Sequence, residues 1–117
     1  MLEERARELG RLIGQSAEYQ AVKLTGEGLS GDPEASAALR RMEELRTEAQ
    51  RLIQRGESPP QAMEEELDRL LSRVQASITY QRAIAAQENF DKTMLRVNEW
   101  ILDGIKRGAE SRIITLG

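Results

Sequence analysis

Cysteine and histidine are both missing from the 117 residues, and with them goes most of the side-chain chemistry that small proteins use. Without thiols there is no disulfide framework, no thiolate nucleophile and no sulfur ligand for zinc. Without imidazole there is no histidine base, and the Glu-x-x-His motif with which helical bundles hold two metals cannot be assembled. Neither a cofactor nor a metal is expected. Aromatic residues are limited to Tyr19, Tyr80, Phe90 and Trp100, and β-branched residues are sparse, which disfavours sheets. No apolar run approaches the roughly 20 residues that cross a bilayer. The acidic opening "MLEERARELG" has neither the basic nor the apolar block of a secretory signal. A cytoplasmic protein without a membrane partner is expected.

Charge of one sign is also not concentrated anywhere. The net charge is -3, and arginines alternate with glutamates throughout, so no stretch offers the basic patch that phosphate backbones require. Direct nucleic-acid binding is not expected. The hydroxyls of Ser16, Ser36, Ser72, Ser77 and Thr93 have only carboxylates and a few lysines as conceivable bases, with no motif joining the two. Glu43, Glu44 and Glu64 to Glu66 fall mostly opposite the leucines on helical spacing and read as solvated faces. "GEGLSG", Gly26 to Gly31, follows no strand and is closed by no Gly-Lys-Ser, so it reads as a helix connector instead of a phosphate loop. The chain is not expected to be an enzyme.

Helical periodicity fills the space those absences leave. Leu2, Ala6, Leu9, Ile13 and Ala17 recur in steps of three and four, predicting a first amphipathic helix ending near Leu24. Asp32 before Pro33 reads as an N-cap with proline in the first turn. The second helix then carries Ala35, Ala38, Met42, Leu45, Ala49 and Leu52 to a stop at Gly56. Ser58 is the predicted cap of a third helix with Pro59 and Pro60 in its first turn, burying Met63, Leu67, Leu70, Leu71, Val74 and Ile78. "ASITYQRA", Ala76 to Ala83, weakens helix propensity and predicts a break capped by Ser77 or Thr79. The last helix runs from there to about Gly108 and releases "SRIITLG".

These segments predict an all-α, antiparallel bundle of about four helices with a long C-terminal helix, forming one domain over residues 1–110 with an apolar tail at 111–117. The apolar face of the last helix, through Ala83, Ala86, Phe90, Met94, Val97, Ile101 and Ile105, is wider than three short neighbours cover, so a homodimer or higher homo-oligomer is expected. Gly10 and Gly14 share a face of the first helix, and Gly104 and Gly108 repeat the spacing near the other end. Small residues at that spacing predict close packing of first and last helices, within or between subunits. The candidate interface residues are Gly10, Ile13, Gly14, Tyr19, Phe90, Val97, Trp100 and Ile101 with Ile113, Ile114 and Leu116 of the tail. Trp100 reads first as core and second as a partner contact. The tail reads first as packing back on its own oligomer, and second as a docking peptide.

The order of these features resembles the YlbF/YmcA family of small bacterial helical proteins, over roughly Leu2 to Ile105. The resemblance rests on a Leu-x-x-x-Ile-x-x-Ser-x-x-Tyr start (Leu9, Ile13, Ser16, Tyr19), on Asp32-Pro33-Glu34-Ala35 at a helix start, and on the rhythm of Tyr80, Ala83 and Phe90. It implies a non-catalytic regulatory adaptor that works through other regulatory proteins, including an endoribonuclease complex, in competence, sporulation, biofilm formation or RNA processing. Some members of that complex use cysteines to hold an iron–sulfur cluster; this sequence has none, which places it nearer the cysteine-poor YheA type. The alternative to an adaptor is a self-assembling structural or cargo-type protein whose tail, 111–117, docks elsewhere.

Overall fold

The computed structural model describes the backbone of residues 1–116 and the side chains of residues 1–110. The described chain is helical throughout: α1 Leu2–Gly14, α2 Ala17–Ser30, α3 Pro33–Gln54, α4 Gln61–Gln75 and α5 Ile78–Leu116. There are five helices instead of about four because the first predicted helix is broken at Gln15 and Ser16. The connector predicted at Gly26 to Gly31 is itself helical up to Ser30. The last helix also passes through Gly108 to Leu116 without stopping.

Three of the breaks are built alike. A helix interrupted within the chain leaves amide donors and carbonyl acceptors that need partners, and polar side chains at the start of the next helix serve both ends here. Ser16 Oγ accepts from the Tyr19 amide at 3.2 Å and donates to the Ile13 carbonyl at 2.6 Å, while Gln20 reaches back to the Gly14 carbonyl at 2.9 Å. Ser77 Oγ accepts from the Tyr80 amide at 3.4 Å, and Gln81 reaches back to the Gln75 carbonyl at 2.8 Å. Asp32 accepts from the Ala35 amide at 3.2 Å, and Ser36 donates to the Leu29 carbonyl at 3.0 Å. Each is an N-cap that halts one helix and starts the next within two residues.

The α3–α4 turn works differently. Gly56 takes φ of 79°, a left-handed conformation open to glycine at no steric cost. It lets the Glu57 amide donate to the Leu52 carbonyl at 2.8 Å and the Gly56 amide to the Ile53 carbonyl at 3.0 Å, the two bonds of a Schellman stop. Ser58 does not cap α4: Ser58, Pro59 and Pro60 lie outside the helix, and Pro60 occupies the cap position in extended conformation. With two consecutive prolines, the first is pushed out of the α region by the second, so the helix starts only after both.

Cross-chain contacts nest about this turn. Arg41 meets Glu66, Asp32 meets Thr79, and Tyr19 meets Phe90. Nesting of this kind means two arms running antiparallel, with α3 packed on α4 and α2 on α5. The core lies at the turn end, where Ala38, Met42 and Leu45 of α3 interlock with Met63, Leu70 and Val74 of α4. Leu45 and Val74 are 2% and 1% exposed. Leu67 is half-buried, whereas Leu71 and Ile78, expected inside, are exposed. The radius of gyration is 21.6 Å and the extents are 69 × 37 × 20 Å, against about 13 Å expected for a compact domain of this length. The molecule is an elongated two-armed hairpin, not a closed bundle.

Leu45→Ala is expected to cost about 2–5 kcal/mol and to lower the urea midpoint steeply, because the site is enclosed by α3 and α4 side chains. Gly28→Ala has the opposite sign. A Cβ at Gly28 meets nothing within 4 Å, so the helix-propensity gain of about 0.5–1 kcal/mol should raise the thermal midpoint.

Candidate interaction surface

Asp32 and Ser77 stand at the starts of α3 and α5, and Thr79 links them. The Thr79 hydroxyl donates to Asp32 Oδ2 at 2.7 Å, and Ser77 Oγ lies 2.8 Å from Thr79 Oγ1. Two helix N-termini, each with a partial positive charge, are thus tied by one carboxylate and two hydroxyls. An open cleft of about 430 Å³ runs past this clasp, lined also by Glu34 and Arg73. Asp32 is held below its ordinary pKa of 3.8, first by the Thr79 hydroxyl and then by the Ala35 amide, against a smaller opposing effect of desolvation. A carboxylate in that position is a hydrogen-bond acceptor at neutral pH and a poor proton carrier. The hydroxyls beside it are likewise engaged in capping. Among the described residues no group of three or more acidic side chains comes together in a way that could hold a metal ion.

A second polar tie crosses between the arms nearer the turn. Arg41 donates through Nε to Glu66 Oε1 at 2.8 Å and through Nη2 to Glu66 Oε2 at 3.3 Å, a two-pronged pairing of guanidinium and carboxylate. Arg41 also reaches Glu44 at 3.3 Å. The Glu66 carboxyl is held below its usual range by Arg41 foremost, and the guanidinium is correspondingly held charged. Both partners face solvent, so the tie sets the register of α3 against α4 more than it stabilises the fold.

The sequence-predicted interface residues divide into four groups. Tyr19, 39% exposed, meets Phe90 edge to face with ring centroids 5.4 Å apart and planes at 62°, an arrangement favoured by the ring quadrupoles. Ile13 and Phe90 are half-buried, and Val97 is 6% exposed, so these pack within the chain. Trp100 and Ile101 do not. Trp100 is 66% exposed, which corrects the expectation that it lies in the core, and Leu95, Leu102 and Ile105 are exposed beside it. Gly10 and Gly14 touch nothing that a Cβ would disturb, and the same holds for Gly104 and Gly108. Close packing of the first and last helices therefore does not occur within the chain. The side chains of Ile113, Ile114 and Leu116 lie outside the described residues.

The reason is the break at Ser16. α1 packs mainly on α2 and does not lie along α5, so it buries no residue fully although one face carries Leu2, Leu9 and Ile13. Past Val97, every residue of α5 up to Glu110 is exposed. Sequence reading missed the Ser16 joint because the apolar spacing runs through it unbroken. A usable signal was present: Ser-x-x-Tyr-Gln occurs at 16–20 and again at 77–81, and the second copy lies at the break that the composition did predict.

Asp32 and Glu66 are carboxylates with depressed folded-state pKa, so the stability they contribute is complete above their unfolded values. It is lost as pH falls through the lowered folded values. Thermal midpoints taken from pH 7 to pH 2 should therefore fall on the acid side of 3.8 and 4.5, the ordinary values of the two groups. Thr79→Val should make the Asp32 share of that fall smaller and end it at higher pH. Ser16→Ala and Ser77→Ala should each cost about 1 kcal/mol in denaturant titrations.

The motif residues of the first helix, Leu9, Ile13, Ser16 and Tyr19, thus form the α1–α2 joint, while Asp32 to Ala35 and Tyr80 to Phe90 form the clasp and its packing. No curated protein matches the chain. The family model described as control of competence regulator ComK, YlbF/YmcA, matches residues 2–106, which spans all five helices except the last turns of α5. The chain belongs to the YlbF/YmcA family.

Proposed function

We propose that this protein is a non-catalytic regulatory adaptor that acts by binding proteins, beginning with a second copy of itself. The observation that carries the reading is the apolar arc left exposed on distal α5, where Trp100, Ile101, Ile105 and Leu102 follow one another around roughly half of the helix. Soluble chains rarely leave so much contiguous apolar surface uncovered unless something binds there. The polar groups of the cleft at the other end of α5 support the same reading, since the caps and the clasp already engage Asp32, Ser77 and Thr79. The family description, control of the competence regulator ComK, supports a regulatory role. The partners that follow are other regulatory proteins, among them an endoribonuclease complex, in the cytoplasm and without direct contact to nucleic acid or membrane. No helix of the described residues is long and apolar enough to cross a membrane.

Light scattering on the purified full chain should give a dimer or larger species. The tagged chain, expressed in its native cell, should retain a regulatory protein or ribonuclease identifiable by mass spectrometry. A monomer that retains neither overturns the proposal. Removing Ser111 to Gly117 separates the alternative: loss of the retained partner with an intact oligomer assigns the docking to the tail.

A further inference from the structure

Two unpartnered helical surfaces, α1 and the part of α5 beyond Val97, carry matching patterns. On α1, Glu3 pairs with Arg7 one turn later; on α5, Asp103 pairs with Arg107 one turn later, at 3.0 Å. Acid precedes base in both. Laid parallel, the two helices would set like charge against like. Laid antiparallel, Glu3 faces Arg107 and Arg7 faces Asp103. The same alignment, carried one turn further along the same stripe of each helix, sets Gly10 opposite Trp100. In each of these pairs the two residue numbers add to one value, and that value falls between those of the contacts observed between the arms, Tyr19 with Phe90 and Asp32 with Thr79.

Within one chain this alignment is not made, because the Ser16 joint turns α1 away from α5. We infer that a second copy supplies it: α1 of one protomer lies antiparallel on distal α5 of the other, and the exchange is reciprocal about a two-fold axis. The inference rests on the self-association reading above and specifies the surface. Trp100, 66% exposed, then covers the open space over Gly10, where a Cβ would meet nothing within 4 Å. One contact the length of α1, 13 residues or about 20 Å, is small beside the roughly 1,200–2,000 Å² of a stable interface. Two-fold symmetry doubles it. Opposite charges at the rim fix the direction of packing, and the tryptophan in its glycine-lined notch supplies a buried anchor.

The absence of native cysteine makes the test direct. Full-length Arg7→Cys and Asp103→Cys chains are mixed, oxidised and compared with each alone and with the double variant. A disulfide-linked heterodimer from the mixture, and linkage between chains in the double variant, are expected. Linkage within a single chain of the double variant overturns the inference. A dimer by light scattering that forms no 7–103 linkage overturns this surface and leaves self-association standing; a monomer overturns both. Trp100→Ala should weaken dimerisation by about tenfold or more with helix content unchanged. Arg107→Glu should weaken it about two- to fivefold for each pair, and Glu3→Arg in the same chain should restore it. Failure of that restoration counts against the antiparallel alignment.

Discussion

The hydrogen bond from Thr79 to Asp32, 2.7 Å long, is where the two arms become one structure. Asp32 already caps α3, and Ser77, next to Thr79, already caps α5. Joining them fixes the starts of two helices against each other at the point where α2 gives way to α3 and α4 to α5. The side chains that satisfy the backbone at the breaks therefore also set the geometry of the arms. Moving either break by one residue would rotate the following helix by about 100°; at Asp32 that takes Ala38, Met42 and Leu45 off the face that meets α4.

The hairpin closed by this clasp is thin. Its core occupies the end near the turn, where α3 and α4 interlock, and thins along α5 to Ala86 and Val97. No buried polar or charged residue occurs among those described, so the interior carries little desolvation cost but also little burial. Elongation raises surface relative to volume, and an elongated chain of this size has less apolar area removed from water than a globule. Stability and association are then coupled: whatever covers the distal α5 face stabilises the folded hairpin by mass action. A hairpin built this way responds to anything that binds that face through its own folding equilibrium.

Much of the helical content was legible because apolar residues recur at helical spacing. The cap at Asp32, the stop at Gly56 and the break around Ser77 follow from local chemistry, and the family resemblance from the order of these features. What was not legible were effects that periodicity averages over. Ser16 interrupts a stripe that continues from Ile13 to Ala17 without a missed step, so only its capping hydroxyl reveals the break. Gly26 and Gly28 read as a connector, yet both sit inside α2; their neighbours are held helical by the α2 face that packs on α5. The exposure of Trp100 could not be read either, since nothing local tells whether a neighbouring helix reaches that far.

The glycines show how a cost in one chain points to another. Gly56 is required by its positive φ, and at Gly31 a Cβ would come within 3.4 Å of the Glu27 carbonyl. Both are explained inside the chain. Gly10 and Gly14 are not: each forgoes roughly 0.5–1 kcal/mol of helix stability and gains no close contact in return. Nothing in the structure explains Gly26 and Gly28, whose surroundings are equally open. At Gly10, however, the missing Cβ coincides with a large ring left in water at the position that the antiparallel register places opposite. An uncompensated gap and an uncovered tryptophan are each unfavourable in the isolated hairpin, and one contact between two chains removes both.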